Sequence, residues 1–277
     1  MSLRIATNTQ SLAAQRYLEI NHNAQNSSLE HLSSGSRINK AGDDAAGLAI
    51  SERLKANIRS LGQASRNAND GVSLVQVAEG SMNEISNILI RLRELSIQGA
   101  SDTVGDTERG FINKEVQQLK AEINRISSST EFNGVKLLDG SEHNLDIQVG
   151  LNNNPMTDRF SYSTKSLKTD LDSFGLTDVS TVSKEDSQNN LAKIDKAITH
   201  LNGNRATLGA LQNRLQSTIN NMAIYKENLE AANSRIRDTD MAEETANLTR
   251  ANILTQANVS VLGQANANPQ LALKLLG

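Results

Sequence analysis

From Leu54 the apolar residues step by four and three: Leu54, Ile58, Leu61, Ala68, Val72, Val75 and Met82, with Ser65 and Glu79 filling the gaps. That is the stripe of a helix packed lengthwise against another helix. After Met82 the phase slips by one, and Ile85, Leu89 and Leu92 carry the stripe on. A local change of winding accommodates such a slip. The pattern predicts a helix over about 43–99, stopped at "GASDTVGD". Ile112, Val116, Leu119, Ile123 and Ile126 predict a second over about 106–128. The cleanest repeat is Ile194, Leu201, Leu208, Leu215, Met222, Leu229 and Ile236, apolar at every seventh position, which predicts a helix over about 187–237. Its alternate positions are read as mixed, with Ile198 and Ile219 beside Arg205, Gln212, Lys226 and Asn233. Polar residues in a seam restrict register and partner at some cost in stability. At 1.5 Å per residue the two long helices span roughly 85 and 75 Å. The expected fold is mainly α, an elongated antiparallel helical bundle or coiled coil with small β-hairpin elements.

The stretch over about 131–186 changes period. "EFNGVKLLDG" carries an Asn-Gly turn at Asn133 and Gly134, "NLDIQVG" alternates Leu145, Ile147 and Val149 with polar residues, and "RFSYS" reads as another short strand. One or two hairpins are expected here. Residues 164–184 have weak periodicity and are expected to form an exposed connection. Both chain ends read as helices, over about 3–33 and 241–276. Their apolar positions are Leu3, Ile5, Leu12, Leu18, Leu29 and Leu32, and Leu248, Ile253, Leu254, Val261, Leu262, Leu271, Leu273, Leu275 and Leu276. One thin seam of aliphatics offers less than the ordering of two such helices costs, so the pair needs neighbours, which copies of the same chain could supply. The tail "QANANPQLALKLLG" sharpens the point, because it is rich in Leu and has no following segment to cover it.

Composition narrows the function. The 277 residues are 37% apolar and 3% aromatic, with no Cys and no Trp, which suits narrow helical seams better than a thick globular core. A net charge of −3 and a pI near 5.9 argue against a nucleic-acid protein. Lack of Cys excludes disulfides, thiolate metal sites and a thiol nucleophile. The N-terminus has no apolar signal region, and no window is long and apolar enough to span a membrane. Few basic residues flank the amphipathic ends (Arg4, Arg16, Lys274), which makes them poor surface anchors.

Candidate chemistry is sparse. His22, His31, His143 and His200 each stand alone and are read as solvent-facing or capping. Asp43 and Asp44 open a predicted helix and are read as caps. Gly62, Gly71 and Gly80 sit inside a helix, where close approach of a neighbouring helix would justify them. The N-x-S/T triplets at Asn26, Asn247 and Asn258 lie in predicted buried helices and are read as chance matches. No catalytic, cofactor-binding or metal-binding residue is assigned.

At "SRINKAGDDAAGLAISERLKANIRSLGQASRNANDGVSLVQVAEGSMNEISNILIRLRELSIQGA" the chain resembles bacterial flagellin. The resemblance runs on through "TEFNGVKLLDG", resumes in "LGALQNRLQSTINNMAIYKENLEAANSRIRDTDMAEE" and reaches the C-terminal "NILTQANVSVLGQANANPQLALKLLG". It covers about the first 140 and last 90 residues in order. It implies a minimal member without large outer variable domains, a structural protein and not an enzyme. Residues 1–43 with 240–277 would form an inner terminal coiled-coil domain, and 44–239 a rod domain. The subunit would polymerise into the extracellular flagellar filament, its terminal helices ordering on assembly, after type III export without cleavage. Partners implied are further copies of itself, an export chaperone at the C-terminal segment, hook-associated junction and filament-cap proteins, and an animal innate immune receptor. No nucleic acid or membrane is expected. The receptor surface would match "IRLRELSIQ" and "KAEINRI", at Arg91, Leu95 and Glu122; the same residues would also fit packing between protofilaments. Ile90 departs from the Gln of the best-recognised members. A hook–filament junction protein, which shares the terminal helices, and a soluble coiled-coil adaptor are the alternatives.

Overall fold

The structure is a computed structural model that describes residues 7–141 and 144–276, with side chains of the last helix through Asn268. Among the described residues six helices and four short strands follow one another: α1 (Thr9–Ser34), α2 (Ala45–Gly99), α3 (Asp106–Ser129), β1 (Glu131–Phe132), β2 (Val135–Lys136), β3 (Asn144–Gln148), β4 (Arg159–Ser163), α4 (Leu171–Phe174), α5 (Lys184–Arg237) and α6 (Met241–Leu276). The class is mainly α with two small antiparallel hairpins. Contacts divide the chain into two compact units, residues 1–57 with 228–277, and residues 58–227. Both divisions fall inside a continuous helix, α2 and α5.

In the 58–227 unit the seven-residue repeat forms the core. Met82, Ile85, Leu89 and Leu92 of α2, Val116 and Ile123 of α3, and Ile194, Leu201, Leu208 and Leu215 of α5 are fully buried. Leu61 and Val75 are buried with them, Met222 is buried near the end of the unit, and Ile58 and Val72 are half-buried. The alternate positions of α5 differ from expectation. Ala197 and Asn204, three residues past Ile194 and Leu201, are buried, while Ile198 and Arg205, four past, are half-buried. A 3.6-residue helix leaves both flanks of a seven-residue repeat close to the seam, and the aliphatic Ile198 marks the outer one. In the 1–57 and 228–277 unit, Leu54, Leu229 and Ile236 are half-buried.

α2 ends at an arginine that the periodicity does not reveal. Arg109 of α3 is buried and donates to the carbonyls of Gly99 (2.9 Å) and Ser101 (3.0 Å) while pairing with Asp106 (2.7 Å). It thereby satisfies carbonyls that a helix end leaves without an amide.

The Asn-Gly turn forms as read: Asn133 and Gly134 have φ of 49° and 79° between β1 and β2. Asn tolerates this left-handed region and Gly is unrestrained there. β3 and β4 pair from Asn144 with Ser163 to Gln148 with Arg159. This hairpin lies on α2 and α5. Asn67 Nδ2 donates to the Gln148 carbonyl (3.1 Å), and the Arg214 guanidinium stacks 4.6 Å from the centre of the Phe160 ring. A Cβ at Gly71 would lie 2.6 Å from Ile147 Cδ1. Gly71 is therefore explained by close approach, although the neighbour is a strand side chain rather than a helix. The same explanation fails for Gly62 and Gly80, whose missing Cβ would meet nothing within 4 Å.

Residues 164–184 are not an exposed connection. Leu167, Leu171, Phe174, Leu176 and Val179 are buried, and so are Thr169 and Thr181. The segment is largely irregular, so most of its backbone cannot be satisfied within itself, and side chains of α3 and α5 supply partners. Lys120 Nζ donates to the carbonyls of Thr177 (2.8 Å) and Val179 (2.9 Å), and Gln117 Nε2 also reaches Val179 (3.2 Å). Asn113 Oδ1 accepts the Thr181 amide, and Asn190 Nδ2 donates to the Ser180 carbonyl. Burial pushes the Lys120 ammonium below the usual lysine range, partly offset by Asp178.

Candidate functional site

The terminal helices α1 and α6 pack antiparallel, with Asn8 opposite Ala265 at one end and His31 opposite Glu244 at the other. Their seam is made of small and polar residues with four leucines among them. Along α1 the inward positions step by three and four through Ser11, Ala14, Leu18, Asn21, Gln25, Ser28 and Leu32. Along α6 they run through Glu244, Leu248, Ala251, Thr255, Asn258, Leu262 and Ala265. Of the expected apolar set, Leu18, Leu32, Leu248 and Leu262 thus lie half-buried in the seam. Leu12, Leu29, Ile253, Leu254 and Val261 stand outside it, with exposures from 44% to 61%. Tyr17, Ile20 and Val259 join them. Leu3 and Ile5 fall outside the described residues. Leu271, Leu273, Leu275 and Leu276 belong to the helical run of α6, and their side chains lie outside the described ones.

Along one face of α6, Ala242, Thr245, Ala246, Thr249, Arg250, Ile253 and Leu254 line a shallow groove of about 580 Å³. The spacing i, i+3, i+4, i+7 is that of one continuous helix face.

The turn between α1 and α2 is tied to the junction of α5 and α6. Ser36 and Asp238 form an isolated antiparallel bridge. Around it the Arg37 amide donates to the Arg237 carbonyl (2.6 Å) and the Thr239 amide to the Gly35 carbonyl (3.0 Å). Gly35 closes α1 in the left-handed conformation, φ 68°, donating back to the His31 carbonyl. Ile38 is buried beneath this crossing, and Arg237 pairs with Glu52 of α2. Of the two predicted caps only Asp44 caps α2, its Oδ1 accepting the Gly47 amide (2.8 Å); Asp43 instead closes the preceding turn, its Oδ2 accepting the amides of Asn39 and Lys40. Those two backbone donors hold the Asp43 carboxyl below the usual aspartate range. A hydrogen bond from Lys40 to Glu30 raises the Lys40 ammonium.

In the 58–227 unit, Arg91 is exposed and bonded to Glu94 (3.0 Å) and Glu115 (2.9 Å). Glu122 is half-buried and paired with Arg125 (2.6 Å). Leu95, expected beside them at a contact surface, is only 2% exposed and belongs to the core. Nothing converges into a catalytic constellation among the described residues. His22 meets Asn26, His31 meets Glu244, and His200 lies edge-on to Phe174. His143 is outside the described residues. No described group of three or more His, Cys, Asp or Glu is placed to hold a metal ion, and no described helix is long and apolar enough to cross a membrane.

Known proteins agree on what such a helix pair belongs to. Residues 5–143 match the family model of the bacterial flagellin N-terminal helical region, and residues 191–276 that of the C-terminal helical region. The chain is 45% identical over 271 residues to a flagellin of Halalkalibacterium halodurans, covering 97% of this chain and 98% of the other. It is 42% identical to a Bacillus subtilis flagellin, covering 99% and 100%. A 30.7 kDa flagellar filament core protein of Treponema maltophilum is also 42% identical, covering 97% and 98%. Among solved structures, Bacillus cereus flagellin aligns with a TM-score of 0.50 at 32% identity, covering 57% of this chain and 88% of that one. A hook-associated protein structure from Vibrio parahaemolyticus shares the fold at 12% identity and a TM-score of 0.58, covering 71% and 100%. Matched by both helical-region models and by these relatives along nearly its whole length, the chain belongs to the bacterial flagellin family.

Proposed function

We propose that the apolar residues of α1 and α6 that stand outside their common seam are the surfaces through which copies of this chain pack into a filament. As a flagellin the chain is a structural subunit of the extracellular flagellar filament. The observation that carries the finer reading is the partial inversion of the terminal pair: small and polar residues with Leu18, Leu32, Leu248 and Leu262 lie between the helices, while Leu12, Ile20, Ile253, Val259 and Val261 point elsewhere. Leaving this much aliphatic surface in water is unfavourable, and neighbouring copies would cover it. On this reading residues 1–43 and 240–277 form the inner domain and 44–239 the rod domain. Leu3, Ile5, Leu271, Leu273, Leu275 and Leu276 join the inner packing, and the terminal pair orders as the subunit docks. Arg91 and Glu122 contribute to a surface between protofilaments or to an innate immune receptor site.

Before assembly an export chaperone would cover the apolar face of α6, and junction and cap proteins would meet the same helices at the filament ends. No catalysis is assigned to the chain. The test is reassembly. Subunits dissociated by heat or acid and returned to neutral salt are expected to regrow long tubes in negative-stain electron microscopy. Discrete particles under several seeding conditions would mean that a closed oligomer, not a filament, covers these helices.

A further inference from the structure

The side chain of Asn8 makes two hydrogen bonds of opposite sense. Its Oδ1 accepts the Ser11 amide (3.1 Å), the N-cap contact that opens α1. Its Nδ2 donates to the Ala265 carbonyl of α6 (2.7 Å). Together these fix the amide orientation, because the carbonyl can only accept. The choice of carbonyl is informative. In an α-helix the carbonyl of residue 265 takes its hydrogen bond from the amide of residue 269, and residue 269 is proline, which has no N–H to give. Ala265 is itself 5% exposed, so water is a poor substitute. Asn8 therefore reaches a carbonyl that Pro269 leaves without its helical donor.

We infer that Asn8 is the register-setting residue of the terminal helix pair, filling the hydrogen-bond gap that Pro269 opens in α6 while capping α1. The rest of the seam mixes small and polar residues such as Ser11, Ala14, Ser28, Ala251 and Thr255 with four half-buried leucines, Leu18, Leu32, Leu248 and Leu262. To that packing Asn8 adds a directional contact, which aliphatic knobs alone do not supply. A slide would separate Asn8 from Ala265 and leave a buried carbonyl unpaired, which disfavours the shifted alignment by a factor of about ten. At the far end His31 and Glu244, 3.5 Å apart, mark the same alignment. The consequence for polymerisation rests on the filament reading above, because a slipped pair would present its outward aliphatics one turn out of place to the next subunit.

The absence of native Cys makes the register directly measurable. Gln10 lies opposite Asn268, their side-chain amides 3.4 Å apart, so Gln10→Cys with Asn268→Cys reports the native alignment. Gln10→Cys with Gln264→Cys reports a slide of one turn. Each pair is placed in the full chain, assembled and oxidised, and the intrachain disulfide yield is read from the monomer band. The native-alignment pair is expected to cross-link about tenfold more than the shifted pair. Asn8→Asp keeps the cap acceptor but loses the donor, and is expected to bring the two yields to within about a factor of two. In a Pro269→Ala background residue 269 regains its amide, and Asn8→Asp should then leave the preference unchanged. If Asn8→Asp lowers both yields equally, or acts alike in both backgrounds, Asn8 serves only as a helix cap and the inference fails. If the Cys pairs without Asn8→Asp form no filaments although the unsubstituted chain does, they are co-assembled as a minority with the unsubstituted chain, and the yields read from those filaments decide. If the unsubstituted chain forms none, it is the filament reading that fails, and the register comparison still stands or falls on the same yields.

Discussion

Gly71 and Gly80 share a helix and answer to different constraints. A Cβ at Gly71 would press on Ile147 Cδ1 at 2.6 Å and on Leu215 Cδ1 at 3.4 Å, whereas one at Gly80 would meet nothing within 4 Å. Alanine inside a helix is worth roughly 1 kcal/mol over glycine when nothing opposes it. Gly80→Ala is therefore expected to raise the melting temperature of the subunit, and Gly71→Ala to lose that gain to the displacement of Ile147. Equal shifts in calorimetry would contradict the hairpin placement. Lys120 carries a second residue-scale expectation. Lys120→Met keeps the stem but removes the donor to the Thr177 and Val179 carbonyls, at a cost of about 1–3 kcal/mol. The pH dependence follows from the direction of its shift. The folded ammonium titrates below the unfolded value of 10.5, so protons bind the unfolded state more tightly in that interval. The contribution of this group to stability therefore rises as pH climbs through the folded pKa towards 10.5. Comparing alkaline denaturant melts of Lys120→Met with those of the unsubstituted chain isolates that slope; no difference between them would remove the buried charge from the account.

Elements were legible in the sequence where burial is periodic. The limits of α2, α3 and α5 were readable because Leu, Ile and Val recur at three and four, and the Asn133–Gly134 turn because its residue types carry its backbone geometry. The segment over 164–184 was not, since its apolar residues have no period and its backbone partners come from Asn113, Gln117, Lys120 and Asn190, distant in sequence. The α1–α6 seam was hidden for a related reason. Ser11, Ala14 and Ser28 are the buried residues of α1, and of its aliphatics only Leu18 and Leu32 share the seam, while Leu12, Ile20 and Leu29 are left for other contacts. Leu95 shows the converse, a position expected at a contact surface on resemblance that the α2 stripe places in the core. Leu215 tests the element directly. It is fully buried in α5 beneath Gly71 and the β3–β4 hairpin. Leu215→Asp puts an unpaired carboxylate there, a change among those that cost more than about 4 kcal/mol. Circular dichroism should show helix loss at ambient temperature, and an unchanged melt would place Leu215 outside the core.

At the scale of the molecule, stability and assembly draw on different residues, so they can be separated. The 58–227 unit closes its own core over Leu89, Leu92, Val116, Ile123 and Leu201. The α1–α6 pair instead buries Ser and Ala and keeps Leu12, Ile253 and Val261 outside its seam. α6 runs on from Ala265, level with the start of α1, to Leu276, and this last stretch is where the Leu residues of the tail concentrate. Removing residues 268–277 takes away little of the helix in the chain and none of the buried core of the 58–227 unit. It also removes residue 269 altogether, so the Ala265 carbonyl still has no helical amide donor and the contact from Asn8 is kept. The truncated chain is expected to keep most of its ellipticity and to sediment as a small species under conditions where the full chain forms filaments. Filaments of normal length would show that the tail is dispensable and that the exposed aliphatics nearer the middle of α6 suffice. Loss of ellipticity along with assembly would show that the tail holds the helices of the single subunit, in which case folding and polymerisation share one set of contacts. Retained helix with lost assembly is the outcome that the inverted seam demands, because a pair that spends its large side chains outward depends on a neighbour to cover them.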